Sequence, residues 1–163
     1  MSVPPLRVRA ANNHPLRAEG EYVLYWMIAF RRTTWNFALQ QAVVHARRLK
    51  KPLVAFEPPR IRYPWASARL HRFVIEGMRN NAAALAKKPV TYYPYVEPKP
   101  GAGMPLLLAL AKRASLVVTD EYPCFFLPHM IAVVKDRLDV RLECVDSNGV
   151  IPLRAADRTF TVA

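Results

Sequence analysis

Two neighbouring carboxylates, Asp120 and Glu121, close the apolar run Ser115–Thr119. At a strand end such a pair suits acid–base work. The commoner role of a carboxylate there is to accept hydrogen bonds from loop amides. Two neighbouring guanidinium groups, Arg31 and Arg32, break off another uncharged run, Tyr22–Met27. Their charge, placed before a helix, adds to the positive end of its dipole. Other reactive types are scattered. His14 lies near the N-terminus, His45 and His71 fall in helical patterns as surface or packing residues, and His129 follows Pro128. No Ser/His/Asp grouping, GxSxG or HExxH occurs. Cys124 and Cys144 are isolated, without CxxC or histidine at ligand spacing, and are expected to be buried thiols. None of the five glycines follows the Tyr22–Met27 run, which argues against NAD or ATP bound through a dinucleotide fingerprint or a P-loop. The residues themselves point to no metal site and no catalytic set.

Placing these groups requires the elements around them. Tyr22–Met27 suits a strand buried on both faces. Thr33 or Thr34 can cap a helix. Trp35, Ala38, Leu39, Ala42, Val43, Ala46 and Leu49 then recur at three and four. Lys50 and Lys51 close that helix, Pro52 stops it, and Leu53–Phe56 is a second strand, making a β-α-β unit. The prolines of 57–64 predict a loop. A long helix is expected over 66–86, with Leu70, Phe73, Val74, Gly77, Met78, Ala82 and Leu85 as its buried face and Arg69, Arg72 and Arg79 off it. Val90–Val96 is a third strand, which Pro94 places at an edge. A Leu-rich helix over 104–113, a strand over 115–119, a helix over 127–138 and an edge-side strand over 140–145 complete the pattern. The expectation is a Rossmann-like doubly wound α/β fold: five parallel strands, ordered 3-2-1-4-5 by appearance, with helices on both faces. Ligands would bind beyond the carboxyl ends of the first and fourth strands. Met27 to Arg32 and Asp120 to Pro123 would line that crevice, with Phe56 and Glu57 beside it. Residues 1–20 are read as a flexible arm, 21–152 as the domain and 153–163 as the start of a linker.

The chain of 163 residues is 52% hydrophobic, enough for a core and too apolar for disorder. No apolar run approaches a membrane span, and the N-terminus has no secretory h-region, so a cytoplasmic protein is expected. The net charge is +12, and residues 1–100 hold 17 Lys/Arg against 5 Asp/Glu. A one-sided basic surface can attract nucleic acid or another anion. Taken alone, the charge is first of all compatible with a plain solvated surface.

Three segments carry a resemblance. Tyr25-Trp26-Met27 followed by Arg32-Thr33-Thr34-Trp35-Asn36-Phe37-Ala38-Leu39 resembles the first β-α segment of DNA photolyases, particularly class II cyclobutane pyrimidine dimer photolyases. The family pattern is approximately YWM, a short variable stretch, then R-x-x-D-N-W-A-L; Trp35 stands where the pattern has Asp. Val117–Asp120 with Pro123 resembles the family's fourth strand and exit loop. The stretch VDSNGVIP at 145–152 resembles its V-D-x-x-N-x-V-P segment. The resemblance implies the light-harvesting half of a light-driven pyrimidine-dimer repair enzyme. The antenna pigment would be a deazaflavin or methenyltetrahydrofolate. FAD, and most contact with DNA, would belong to a C-terminal domain absent from this chain. Alone, the chain is expected to be inactive. The implied pigment contacts are Trp26, Met27, Arg31, Arg32, Asn36, Phe56, Glu57, Asp120 and Tyr122. Arg31 or Arg32 would meet an anionic tail, and Asn36 and Asp120 polar ring atoms. Two other readings stay open: a stand-alone module binding nucleic acid or another anion without light chemistry, and a purely structural domain.

Overall fold

A computed structural model describes residues 2–156. The strands are β1 (Val8–Ala10), β2 (Tyr22–Trp26), β3 (Leu53–Glu57), β4 (Val90–Pro94), β5 (Ala114–Glu121) and β6 (Leu142–Asp146). The helices are α1 (Phe37–Leu49), α2 (Ala68–Leu85), α3 (Gly103–Ala111) and α4 (Leu127–Lys135). They build one sheet in the order β1-β6-β5-β2-β3-β4. The five strands β2 to β6 are parallel and lie in the expected sequence, with the switch point between β2 and β5. The full order differs from expectation by β1, which adds antiparallel to β6, pairing Val8 with Val145 and Ala10 with Glu143. The sheet is therefore six-stranded and mixed, and β6 is not its edge.

The segment expected as a flexible arm supplies that edge strand. Arg7 is buried, and its guanidinium donates to the carbonyls of Asp146, Asn148, Gly149 and Val150. It also lies over the Phe37 ring, 4.5 Å from the centroid. A short strand with no apolar run is held by these contacts, of which the four hydrogen bonds link residues more than a hundred positions apart. Of the expected linker, Leu153–Ala155 form a 3-10 turn, and 157–163 lie outside the described residues.

Alternation along β2 divides the core. Val23, Tyr25 and Met27 face α1 with Ala38, Ala42 and Ala46. Leu24, Trp26 and Ile28 face the opposite layer with Leu107 of α3 and Ile131 and Val134 of α4. Burying each such large apolar side chain contributes about 1.5–3 kcal/mol.

Helix starts and faces depart from expectation in three places. The α1 cap is Asn36 and not a threonine: its side chain accepts from the Leu39 amide at 2.9 Å. Trp35 precedes the helix in a left-handed conformation, φ 53°, and is 90% exposed. In α2, whose cap is Ser67, only Met78, Asn81 and Leu85 are buried; Leu70 and Phe73 are exposed although they continue the apolar stripe. The first half of α2 overhangs the sheet, so periodicity there does not report burial. Cys144 is buried as expected, whereas Cys124 is exposed.

Gly20 and Gly77 give opposite tests. A Cβ on Gly20 would sit 2.4 Å from the Ser115 nitrogen and 2.6 Å from the Ala114 carbonyl carbon, both backbone atoms. Gly20→Ala should cost about 1–3 kcal/mol. A Cβ on Gly77 meets nothing within 4 Å, and this residue lies inside α2. Gly77→Ala should gain about 0.5–1 kcal/mol. Urea unfolding midpoints of the two variants should move in opposite directions.

Candidate functional site

The β2-to-α1 connection is built around one carboxylate. Asp120, at the end of β5, is fully buried. Its Oδ2 accepts the amides of Ile28, Ala29 and Phe30 at 2.9, 2.8 and 3.1 Å. Its Oδ1 accepts the Tyr25 hydroxyl at 2.7 Å. That hydroxyl in turn accepts from the Asn36 amide group at 2.9 Å, which also donates to the carbonyls of Phe30 and Arg32. Burial raises the Asp120 carboxyl above the usual aspartate value, against the pull of these donors. Burial, and the charge of Asp120, hold the Tyr25 phenol well above its ordinary range, so it stays a donor.

A second buried carboxylate, Glu57, closes β3. It accepts from Arg31 at 3.1 Å, from Asn81 of α2 at 3.0 Å and from the Tyr92 hydroxyl of β4 at 2.6 Å. Burial and the neighbouring Glu57 raise the Tyr92 phenol. Asn81 also donates to the Arg31 carbonyl at 3.3 Å, so α2 fixes both ends of that residue.

Beyond these two clusters, on the α3/α4 face, lies a cavity of about 570 Å³. Its floor is Trp26, Ile28 and Leu107, and its walls come from the 58–65 loop, the start of α2, the start of α3 and the segment 125–133. The lining is apolar and aromatic with few polar groups, the usual make-up of a small-molecule site. Tyr63 packs on Phe126 and edge-on to His71, with centroids 5.9 and 5.7 Å apart. The Arg60 guanidinium lies over Phe126 at 5.1 Å. Glu97 is buried and ties two walls together, accepting the Gly103 amide at 2.9 Å and the Ile61 amide at 3.3 Å. His71 lines the cavity, and its Nε2 is buried without a hydrogen-bond partner. Such an atom is costly unless something completes it.

Of the nine expected contacts, the structure brings Trp26 and Arg31 to this cavity. Asn36, Glu57 and Asp120 are beside it in sequence order, but their polar atoms are engaged inside the protein. Met27 faces α1, and Phe56 is fully buried in the other core layer. Arg32 is exposed and donates to the Trp35 carbonyl. Tyr122 stacks on Phe125, which edges Trp65 at the cavity rim. Arg60, Tyr63 and Phe126 were not singled out by sequence; His71 was read as a surface or packing residue, and His129 was noted after Pro128 without a role. The cluster of aromatics at 122–126 and the arginines among the 58–64 prolines were the available signal. Among the described residues no His/Cys/Asp/Glu group is arranged to hold a metal, and no helix is long and apolar enough to cross a membrane.

No protein-family model matches the chain. A deoxyribodipyrimidine photo-lyase of Methanothermobacter thermautotrophicus is 31% identical over 150 residues, which are 92% of this chain and 33% of that enzyme. The chain is thus homologous to the N-terminal part of that protein and spans about a third of its length.

The Tyr25–Asp120 contact should be strongly coupled. Asp120→Asn places an amide donor where the carboxylate accepts and should cost about 2–3 kcal/mol. Tyr25→Phe should cost less. In urea unfolding the double variant should be more stable than the sum of the two losses predicts, by at least about 1 kcal/mol. Strict additivity would show that Asp120 acts through the loop amides alone.

Proposed function

We propose that this chain, a homologue of the N-terminal part of a deoxyribodipyrimidine photo-lyase, is the light-harvesting domain of such an enzyme, with the cavity beyond β2 and β3 holding the antenna pigment. The observation that carries this reading is the cavity itself: about 570 Å³, walled by aromatic rings, with one unpartnered buried nitrogen. A deazaflavin or a methenyltetrahydrofolate is a flat conjugated ring system with polar edges and an acidic tail. Trp26, Tyr63 and Phe126 offer it ring faces. His71 Nε2 offers a polar edge a partner, and Arg31 and Arg60 offer the tail positive charge. Exclusion of water by these walls would keep the bound pigment rigid.

The repair chemistry we assign to the part of the relative that this chain does not cover. There reduced FAD would donate an electron to a flipped-out pyrimidine dimer, and base flipping needs a deep pocket of its own. DNA is the partner of that whole enzyme, and most lesion contact would lie outside this domain. The three segments that resemble the class II pattern, at 25–39, 117–123 and 145–152, together support placement in that class, though Trp35 and Phe37 depart from it.

Titration of the purified chain with a deazaflavin, and separately with methenyltetrahydrofolate, tests the pigment site by absorbance and fluorescence polarisation. One of the two should bind. His71→Ala should weaken it about fivefold to tenfold, the loss of one buried hydrogen bond. Leu107→Trp, which fills the floor, should abolish it. Binding unaffected by Leu107→Trp would move the pigment elsewhere. A chain that retained FAD and restored illuminated dimer-containing DNA by itself would overturn the assignment of the chemistry.

A further inference from the structure

The overhanging half of α2 and the turn before it carry an unusual surface. Residues 60–79 hold five arginines and one carboxylate, Glu76, which pairs with Arg72 at 2.8 Å. Met78, Asn81 and Leu85 turn inward. Helical spacing then sets Arg69, Arg72, Phe73 and Arg79 on the opposite arc, and all four are exposed. Phe73 is 75% exposed and Trp65, in the preceding turn, 66%. Arg62 is exposed on the same approach. Phe73 continues the α2 apolar stripe beyond Leu70 but stands exposed, and Trp65 meets the exposed Phe125 ring edge-on at 6.1 Å. Glu76 relieves Arg72 alone; no ion pair among the described residues is formed by Arg62, Arg69 or Arg79.

We propose that this face binds single-stranded nucleic acid, at a site that meets the cavity only at Trp65. Planar guanidinium forks match phosphate oxygens, and Arg69 to Arg79 spans about 15 Å along the helix, enough to follow a few phosphates. Trp65 and Phe73 supply ring faces on which unpaired bases stack. A duplex hides its base faces, so it can use the charges and not the rings. An anionic lipid surface could use the same charges and rings, so phosphatidylglycerol vesicles are a further competitor, and vesicle binding as tight as oligo-dT would overturn the proposal.

The test uses the full chain and a fluorescently labelled oligo-dT, with a matched duplex and heparin as competitors. Affinity for oligo-dT should fall with salt, log K against log salt having a slope of about −2 to −3 if three or four phosphates are met. The triple variant Arg69→Ala, Arg72→Ala, Arg79→Ala should weaken binding at least tenfold and flatten that slope by about two. Phe73→Leu, which keeps apolar bulk and loses the ring, should weaken oligo-dT severalfold and leave the slope and heparin binding unchanged. Trp65→Leu should do the same. Arg47→Ala with Arg48→Ala, at the far end of α1, should change little. All these side chains are solvent-exposed, Arg48 also meeting His45 Nδ1 at 3.0 Å, and unchanged melting curves would verify folding; Arg→Gln replaces Arg→Ala where a curve shifts. Duplex or heparin binding as tight as oligo-dT, ring variants that bind like wild type, or equal losses from the α1 variant would each overturn the proposal.

Discussion

A carboxylate buried without charge compensation must be met by donors, and Asp120 is met by four. That requirement shapes the top of the sheet. Three successive amides, from Ile28 to Phe30, converge on one oxygen, so the chain leaving β2 is wound around the end of β5. The hydroxyl of Tyr25 takes the other oxygen and passes the constraint to Asn36, whose side chain then both holds the loop carbonyls and caps α1. The first turn of α1 is thus placed by a residue on the neighbouring strand. Trp35, left between Asn36 and the loop, accepts a left-handed conformation with its ring in solvent. Such a conformation costs of order 1 kcal/mol and persists only where the surroundings over-determine it.

Glu57 repeats the device one strand over. Its partners come from three elements, β4, α2 and the β2 exit loop, so it locks α2 against the sheet at Asn81. Nothing comparable holds the first half of α2. The helix is pinned at its C-terminal half and stands free at its start, and the gap beneath that overhang is the cavity. Glu97, bridging the Ile61 and Gly103 amides, sets the width of the same gap from the other side.

The alternation of strand and helix, and the sequence of the five parallel strands, were legible because long uncharged runs and periodic stripes report burial directly. Pro94 correctly marked an edge. Strand β1 was not legible, since three residues, Val8 to Ala10, carry no pattern and depend on pairing across the whole chain. The expected contacts mixed the two faces of the sheet. Trp26 and Met27 are adjacent in a strand, so their side chains must point to opposite layers. Trp26 faces the cavity and Met27 faces α1. A set of site residues drawn from consecutive positions at a strand end cannot lie on one side of a doubly wound sheet.

The same parity separates what the polar residues do. Asp120, Asn36 and Glu57 occur where a ligand's polar atoms were expected, but a loop that leaves a sheet has unsatisfied amides of its own, and these are nearer than any ligand. Asp120 therefore satisfies the backbone first, whereas Glu57 is taken up by the side chains of Arg31, Asn81 and Tyr92. Among the described residues lining the cavity, the buried polar atom that no partner reaches is His71 Nε2, carried on the unpinned half of α2. The physical cause is the overhang: a helix turn lifted off the sheet keeps its inward polar side chains away from backbone partners, and the space they face is left to be filled.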